Sequence, residues 1–326
     1  MMELVAVDIG GTHARFVIAS VGADGAIALG QPETLHTKDH ASFQLAYGDF
    51  RKRMGGSLPP RVSLSVAGKV GGDVIRFTNN PWIIRPALME SKLGVAAWTI
   101  VNDFEAVAHA VARAPDDQFI HLTGPNQPLA SEGTISVLGP GTGLGVAHLY
   151  RDGSGYRVTA TEGGHIDFAP LDSIEDAILA HFRKNHNRVS VERVVSGPAI
   201  GEIRRVLAAI EGKAVSEEDD ITLWTRGMAD RDSLAAAAVD RFCLSLGSVA
   251  GDIALAQGGF GGVVIAGGLG YRLRDHLPLS GFAERFRAKG RFAEVMGAIP
   301  VKLIVHPQPG LFGAAAAFAA QHGVTA

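Results

Sequence analysis

Leu4–Ala19 reads LVAVDIGGTHARFVIA, and the way this stretch breaks and resumes decides how the rest of the chain is read. Leu4-Val5-Ala6-Val7 and Ile9 form an apolar run with the character of a buried strand. Gly10-Gly11-Thr12 interrupts it, and Phe16-Val17-Ile18-Ala19, aromatic and β-branched, resumes as a second strand. A dinucleotide fingerprint opens a helix after its glycines, and a Walker loop carries Gly-Lys-Ser/Thr; neither is present. Glycines without Cβ let the backbone approach a ligand closely, and their amides are free to face an anion. Asp8, at the strand end, is placed to hold a hydrated Mg²⁺ beside phosphates. An ordinary tight hairpin accounts for the same residues equally well.

Composition narrows the class. The chain has 326 residues, enough for two domains. Hydrophobic residues make up 47% and charged residues 19%, which supports a large core and argues against disorder. A formal charge of −3 argues against a nucleic-acid footprint. One cysteine, Cys243, excludes an intramolecular disulfide and a cysteine-cluster metal site. The N-terminus has no basic segment before its short apolar run, and no uninterrupted apolar stretch approaches ~20 residues. A soluble cytoplasmic protein without a membrane span is expected.

Along the chain, Ala41–Met54 has helical spacing, Arg61–Ala67 alternates as a strand, and Pro86–Leu93 reads as a helix stopped by Gly94. Trp98–Val101 is a short strand ending at Asn102-Asp103, and Phe104–Arg113 is an Ala-rich helix. That junction is where α/β proteins place ligand-facing groups, but Asp103 as a simple N-cap fits too. Thr134–Tyr150 repeats the opening design: strand Ile135–Leu138, glycine turn Gly139–Gly145 with Thr142 inside it, strand Val146–Tyr150. Two such units suggest half-sites facing each other across a cleft. Glu162-Gly163-Gly164-His165 is a costly composition for packing alone; zinc binding by His165 lacks further ligands at the usual spacing. Glu192 is expected to pair with Arg188 or Arg193 unless it binds a ligand. Ala214–Asp220 reads as an acidic, mobile loop, Ser233–Leu255 as a long buried helix, Gly262–Gly268 as a strand running into glycines, and Gly310–Ala320 as a closing helix.

In order, the motifs are DIGGT at Asp8, VNDF at Val101, GPGTGLGVAHL at Gly139, TEGGHIDFAP at Thr161, ERVVSGP at Glu192 and GGVVIAGG at Gly261. Together they resemble the bacterial glucokinase family of the hexokinase–actin-like superfamily, from about Leu4 to Ala320. The resemblance implies a two-domain α/β protein with the actin-like (ribonuclease H-like) ATPase fold and an interdomain cleft. The smaller domain would be 1–113 plus 303–326, with the C-terminal strand and helix folding back onto it, and the larger 114–302. It implies transfer of the γ-phosphoryl group of ATP to glucose, the entry step of glycolysis, with Mg²⁺ as cofactor. Val7, Asp8, Ile9, Gly10, Gly11 and Thr12, with Gly139, Gly141, Thr142 and Gly143, would bind the phosphates, and Gly267 and Gly268 the adenosine. Asn79, Asn102, Asp103, Glu162, His165 and Glu192 would hold glucose, with Asp103 as the base. Asp8 would hold Mg²⁺ through water. A homodimer is left open.

The residue types suit that chemistry. Sugar hydroxyls call for carboxylates and amides in fixed directions, and phosphoryl transfer calls for positioning and charge neutralisation. The sequence departs from the family at His13, where Asn is usual, and at Asn80-Pro81, where His-Thr is usual. The competing classes are a kinase for another hexose, a non-catalytic sugar sensor, and a polymerising actin-like protein. A sensor would need a DNA-binding extension, and the fold is expected to begin by Leu4. A filament protein has no use for the acids at Glu162 and Glu192.

Overall fold

The computed structural model describes residues 1–77, 80–230 and 233–323. In chain order the strands and helices begin β1 (Met2–Ile9), β2 (His13–Val21), β3 (Ile27–Leu29), β4 (Glu33–His36), α1 (Phe43–Arg53), β5 (Arg61–Val66), β6 (Ile75–Arg76), β7 (Ile83–Ile84), α2 (Met89–Leu93), β8 (Ala97–Asn102) and α3 (Asp103–Arg113). They continue with β9 (Phe119–Thr123), β10 (Glu132–Pro140), β11 (Leu144–Asp152), β12 (Tyr156–Thr161), α4 (Ser173–Arg183), α5 (Ala199–Ile210), α6 (Asp220–Ala229), α7 (Leu234–Gln257), β13 (Gly262–Ile265), α8 (Gly267–Arg272), α9 (Phe282–Arg287), α10 (Ala293–Gly297), β14 (Val301–Ile304) and α11 (Pro309–Gln321). Two compact units result: Met1–Ala114 with Val158–Ala160 and His306–Ala326, and Pro115–Arg157 with Thr161–Val305.

In the first unit a six-stranded sheet runs β3-β2-β1-β5-β8, with β4 also on β2. β1 and β2 pair antiparallel from Met2↔Val21 to Ile9↔Ala14, and β5 and β8 join parallel. Val5, Val7, Ile9 and Phe16 pack on one side with Phe43, Phe50 and Trp82. Leu4, Ala6, Val17 and Ala19 face the other side, against Leu311, Ala314 and Phe318 of α11. The alternation along β1 therefore serves two buried faces, which is why its sequence is nearly all apolar. α11 is Ala-rich because it must lie close to α3: a Cβ at Gly313 would stand 1.7 Å from the Ala106 carbonyl oxygen.

The second unit repeats the plan. Its sheet runs β12-β11-β10-β13-β14-β9. β10 and β11 pair antiparallel, β10–β13 and β13–β14 parallel. In both sheets a hairpin contributes its first strand to a parallel run, so both glycine turns sit at the same topological place. β14 was expected on the smaller domain with the last helix. It pairs instead with β13 and, antiparallel, with the edge strand β9, inside the second sheet. Val301 and Leu303 are fully buried there, and only α11 belongs to the first unit.

α7 is long and apolar enough to cross a membrane by length and composition, but 72% of that window is buried within the protein. Its charges are met locally: Arg241 by Asp172, Asp252 by Lys289 and Asp240 by His276. It crosses α9 closely at Gly247, where a Cβ would lie 2.3 Å from the Phe282 carbonyl oxygen. The stretch at 214–220, expected as a mobile acidic loop, is ion-paired and runs into α6. Its acids meet Arg204, Arg205 and Arg226, partners that lie 8 to 14 residues away and leave no local signal.

Candidate functional site

In the first unit the β1–β2 turn is held from outside. The Thr37 amide and hydroxyl donate to the carbonyls of Thr12 and Gly11, at 3.0 and 2.9 Å. Buried Asn80 donates to the Gly10 carbonyl at 3.3 Å. With its carbonyls so engaged, and with no acceptor for the Gly11 and Thr12 amides among the described residues, the turn is built to offer N–H groups to an anion. Val7 and Ile9 are fully buried, so only their backbone is available to a ligand. Asp8 accepts from the Ser65 hydroxyl at 3.0 Å and from Arg15 at a loose 3.5 Å. Burial, only partly offset by these two donors, raises its pKa. A partly buried carboxylate so thinly matched suits one bond to a hydrated Mg²⁺ that also holds phosphates.

Asp103 is brought to the same place. The cap of α3 is Asn102, whose Oδ1 accepts from the Phe104 and Glu105 amides while Glu105 reaches back to the Asn102 amide, a complete capping box. The Asn102 amide group also donates to the Gly68 carbonyl at 3.1 Å, which leaves one N–H for a ligand. Asp103, one residue on, is therefore not the cap that its position allowed. Burial first, then the negative charge of Asp8, pushes its pKa up to about 6, against the lowering effect of the Phe104 amide.

In the second unit Glu162, His165 and Glu192 are assembled from two short 3-10 turns, Gly163–His165 and Val191–Arg193. His165 Nδ1 lies 3.5 Å from Glu192 and Nε2 3.8 Å from Glu162. Glu192 also accepts from the Leu144 amide at 3.3 Å, at the exit of the β10–β11 turn. Its expected surface partners are engaged elsewhere, Arg188 with Asp167 and the His165 carbonyl, Arg193 with His186. The glycines are steric requirements: a Cβ at Gly164 would stand 2.1 Å from the Leu144 carbonyl oxygen, and one at Gly143 would stand 2.6 Å from Glu192. Among the described residues no three His, Cys, Asp or Glu side chains group as a metal site.

The turn itself is Gly141-Thr142-Gly143; Gly139 and Gly145 lie in the ladder, paired with each other. Beside it lies a cavity of about 410 Å³ lined by Gly141, Thr142, Trp224, Gly268, Leu269 and Arg272, with Asp220, Ile221, Gly197 and Pro198 completing the wall. That volume is in the range of small-molecule sites. Gly267, at φ +80° and 2.7 Å from the Pro140 carbonyl oxygen by its missing Cβ, brings the start of α8 against the turn. The sequence reading missed Trp224, Ile221, Asp220 and Arg272, because α6 and α8 were not read as helices. Asp219, which accepts from the Thr222 amide at 2.9 Å, was an available N-cap signal. Asn79 lies outside the described residues.

A repeated hairpin-plus-parallel sheet, each copy ending in a glycine turn with a carboxylate beside it, defines a two-domain ATPase of the actin-like (ribonuclease H-like) fold. A structure of a glucokinase from an Antarctic psychrotroph superposes with a TM-score of 0.88 at 31% identity, covering 98% of this chain and 99% of that one. A glucokinase of the ROK family from Streptomyces griseus, solved with glucose and AMPPNP, shares the fold at a TM-score of 0.62 and 18% identity, with 96% and 98% covered. The family model described as glucokinase matches residues 4–322. The glucokinase of Zymomonas mobilis is 55% identical over 98% of both chains, and that of Caulobacter vibrioides 39% identical over 95% of this chain and 93% of the relative. The chain belongs to the glucokinase family.

Proposed function

We propose that this chain transfers the γ-phosphoryl group of ATP to the 6-hydroxyl of D-glucose, giving ADP and glucose 6-phosphate. The observation that carries the reading is Asp103: a carboxylate displaced from capping by Asn102 and tuned to about 6. A base of that strength is mostly ionised at neutral pH yet still accepts a proton as the hydroxyl attacks phosphorus. Asn102, Glu162, His165 and Glu192, with Asn79, hold the remaining hydroxyls. The amides of Gly11, Thr12, Thr142 and Gly143 bind phosphate oxygens, and the cavity beside Gly268 takes the adenosine. Asp8 would hold Mg²⁺ through water, and the metal would supply neutralisation of phosphate charge; no lysine stands in either turn, so the backbone amides are left to position the phosphates.

The test is ADP release over a panel of hexoses at saturating MgATP. Glucose is expected to exceed galactose and fructose by roughly tenfold or more in kcat/KM, because a sugar that misses one of these partners forfeits a hydrogen bond to a charged group, about 1.5–3 kcal/mol. Equal turnover of the three would remove the assigned specificity, and no ADP release with any of them would remove the kinase reading.

A further inference from the structure

The segment that precedes α6 is tied down residue by residue, and all of its ties are charged. Arg204, on α5 and 4% exposed, reaches Glu218 Oε1 at 2.6 Å and the Ser216 carbonyl. Arg226, on α6, closes on the same carboxylate at 2.8 Å to Oε2 and 3.0 Å to Oε1. Arg205 holds Glu217 at 2.8 Å and Glu202 at 2.7 Å. Asp219 then caps α6. The residues that follow, Asp220, Ile221 and Trp224, are cavity wall.

The ties lead onward to the glycine turn. Trp224 Nε1 donates to the Gly197 carbonyl at 3.0 Å, and the Gly197 amide donates to the Gly141 carbonyl at 2.7 Å. One run of direct contacts therefore connects Glu218, α6, Trp224, Gly197 and the turn. An ion pair with one buried member, Arg204, and a partly exposed carboxylate is a poor source of stability compared with apolar residues of the same volume. What it supplies is fixed distance and direction, because a carboxylate held by both arms of Arg226 and one arm of Arg204 has few alternative arrangements.

We propose that the Arg204–Glu218–Arg226 clamp is a positioning device for the nucleotide. It sets α6 against α8 and the Gly141–Thr142 turn, and thereby the affinity for ATP, without touching ATP. The inference rests on the reading of this cavity as the nucleotide pocket.

The experiment measures KM for MgATP and for glucose, with kcat, in Glu218→Gln and Arg226→Met of the full chain. Each is expected to raise the MgATP KM about 5- to 20-fold while the glucose KM and kcat stay within about twofold, the split that marks lost nucleotide positioning. Arg226→Lys keeps a cation at Glu218 and is expected to return most of the loss. An unchanged MgATP KM, or a parallel change in both KM values and kcat, would overturn the clamp. Should Glu218→Gln not fold, Arg226→Met decides alone, because that arginine is 40% exposed and its loss leaves the Arg204 pair in place. Leu269→Arg, inside the cavity, separates the two readings. If it spares the MgATP KM, the pocket is wrong; if it raises that KM while the clamp variants do not, only the clamp is wrong.

Discussion

Asp103 shows how one residue acquires a role through its neighbour. Asn102 caps the first turn of α3, so the Asp103 carboxyl, which accepts from the Phe104 amide at 2.9 Å through one oxygen, keeps the other free and sits close enough to Asp8 to feel its charge. We expect Asp103→Asn to lower kcat about 10²–10⁴-fold while glucose affinity by calorimetry is retained, since an amide still hydrogen-bonds a hydroxyl. The wild-type kcat/KM profile should fall on the acid side with an apparent pKa near 6. Stability carries the opposite sign. A carboxyl whose folded pKa is raised loses stability as pH rises from the unfolded value near 4 through 6. Asp103→Asn should therefore be more stable than wild type at pH 7, by between roughly 1 and 3 kcal/mol, with the gap closing as pH falls below 4. Near-wild-type turnover, or no stability difference at pH 7, would return Asp103 to a structural role.

At the scale of elements, the β10–β11 turn and the 3-10 turn that packs beside it carry glycines for two different reasons. A Cβ at Gly141 meets nothing within 4 Å, whereas one at Gly164, which packs beneath β11, meets the Leu144 carbonyl oxygen at 2.1 Å. Packing therefore requires a glycine at 164 but not at 141, which leaves the proposed phosphate contact as the reason for Gly141. Gly141→Val should leave the denaturation midpoint nearly unchanged and raise the MgATP KM by about tenfold or more, the equivalent of one lost phosphate contact. Gly164→Ala should cost on the order of 1–3 kcal/mol in urea unfolding, because the carbonyl it strikes belongs to backbone that must shift. The reverse pattern would exchange the two assignments. Glu192 follows the same logic: its place beside Leu144 depends on a 3-10 turn from a distant part of the chain.

At the scale of the molecule, each of the two sheets is buried in cores of its own. Val5, Phe16, Phe50 and Trp82 belong to one, and Ile200, Trp224, Phe242 and Leu303 to the other. Two units with separate cores do not meet the conditions for all-or-none unfolding. Scanning calorimetry should give a calorimetric enthalpy larger than the van't Hoff enthalpy from the same transition. Equality of the two would show that the units melt as one.

Local pattern was enough for the frame of the fold. Leu4–Ala19 and Thr134–Tyr150 announced strand, glycine turn and strand, because an apolar run broken by glycines leaves few alternatives. α7 was legible between its Ser233 cap and Gly258 in the left-handed region. The ordered motifs identified the family. The partner of each charged group emerges only in the folded chain. Glu192 went to His165 rather than to the arginines beside it, Glu218 to Arg204 and Arg226, and β14 to the second sheet. The reason is physical. Strand and turn propensities act over a few residues, whereas ion pairs and edge pairing are settled by distances that exist only once the backbone has closed.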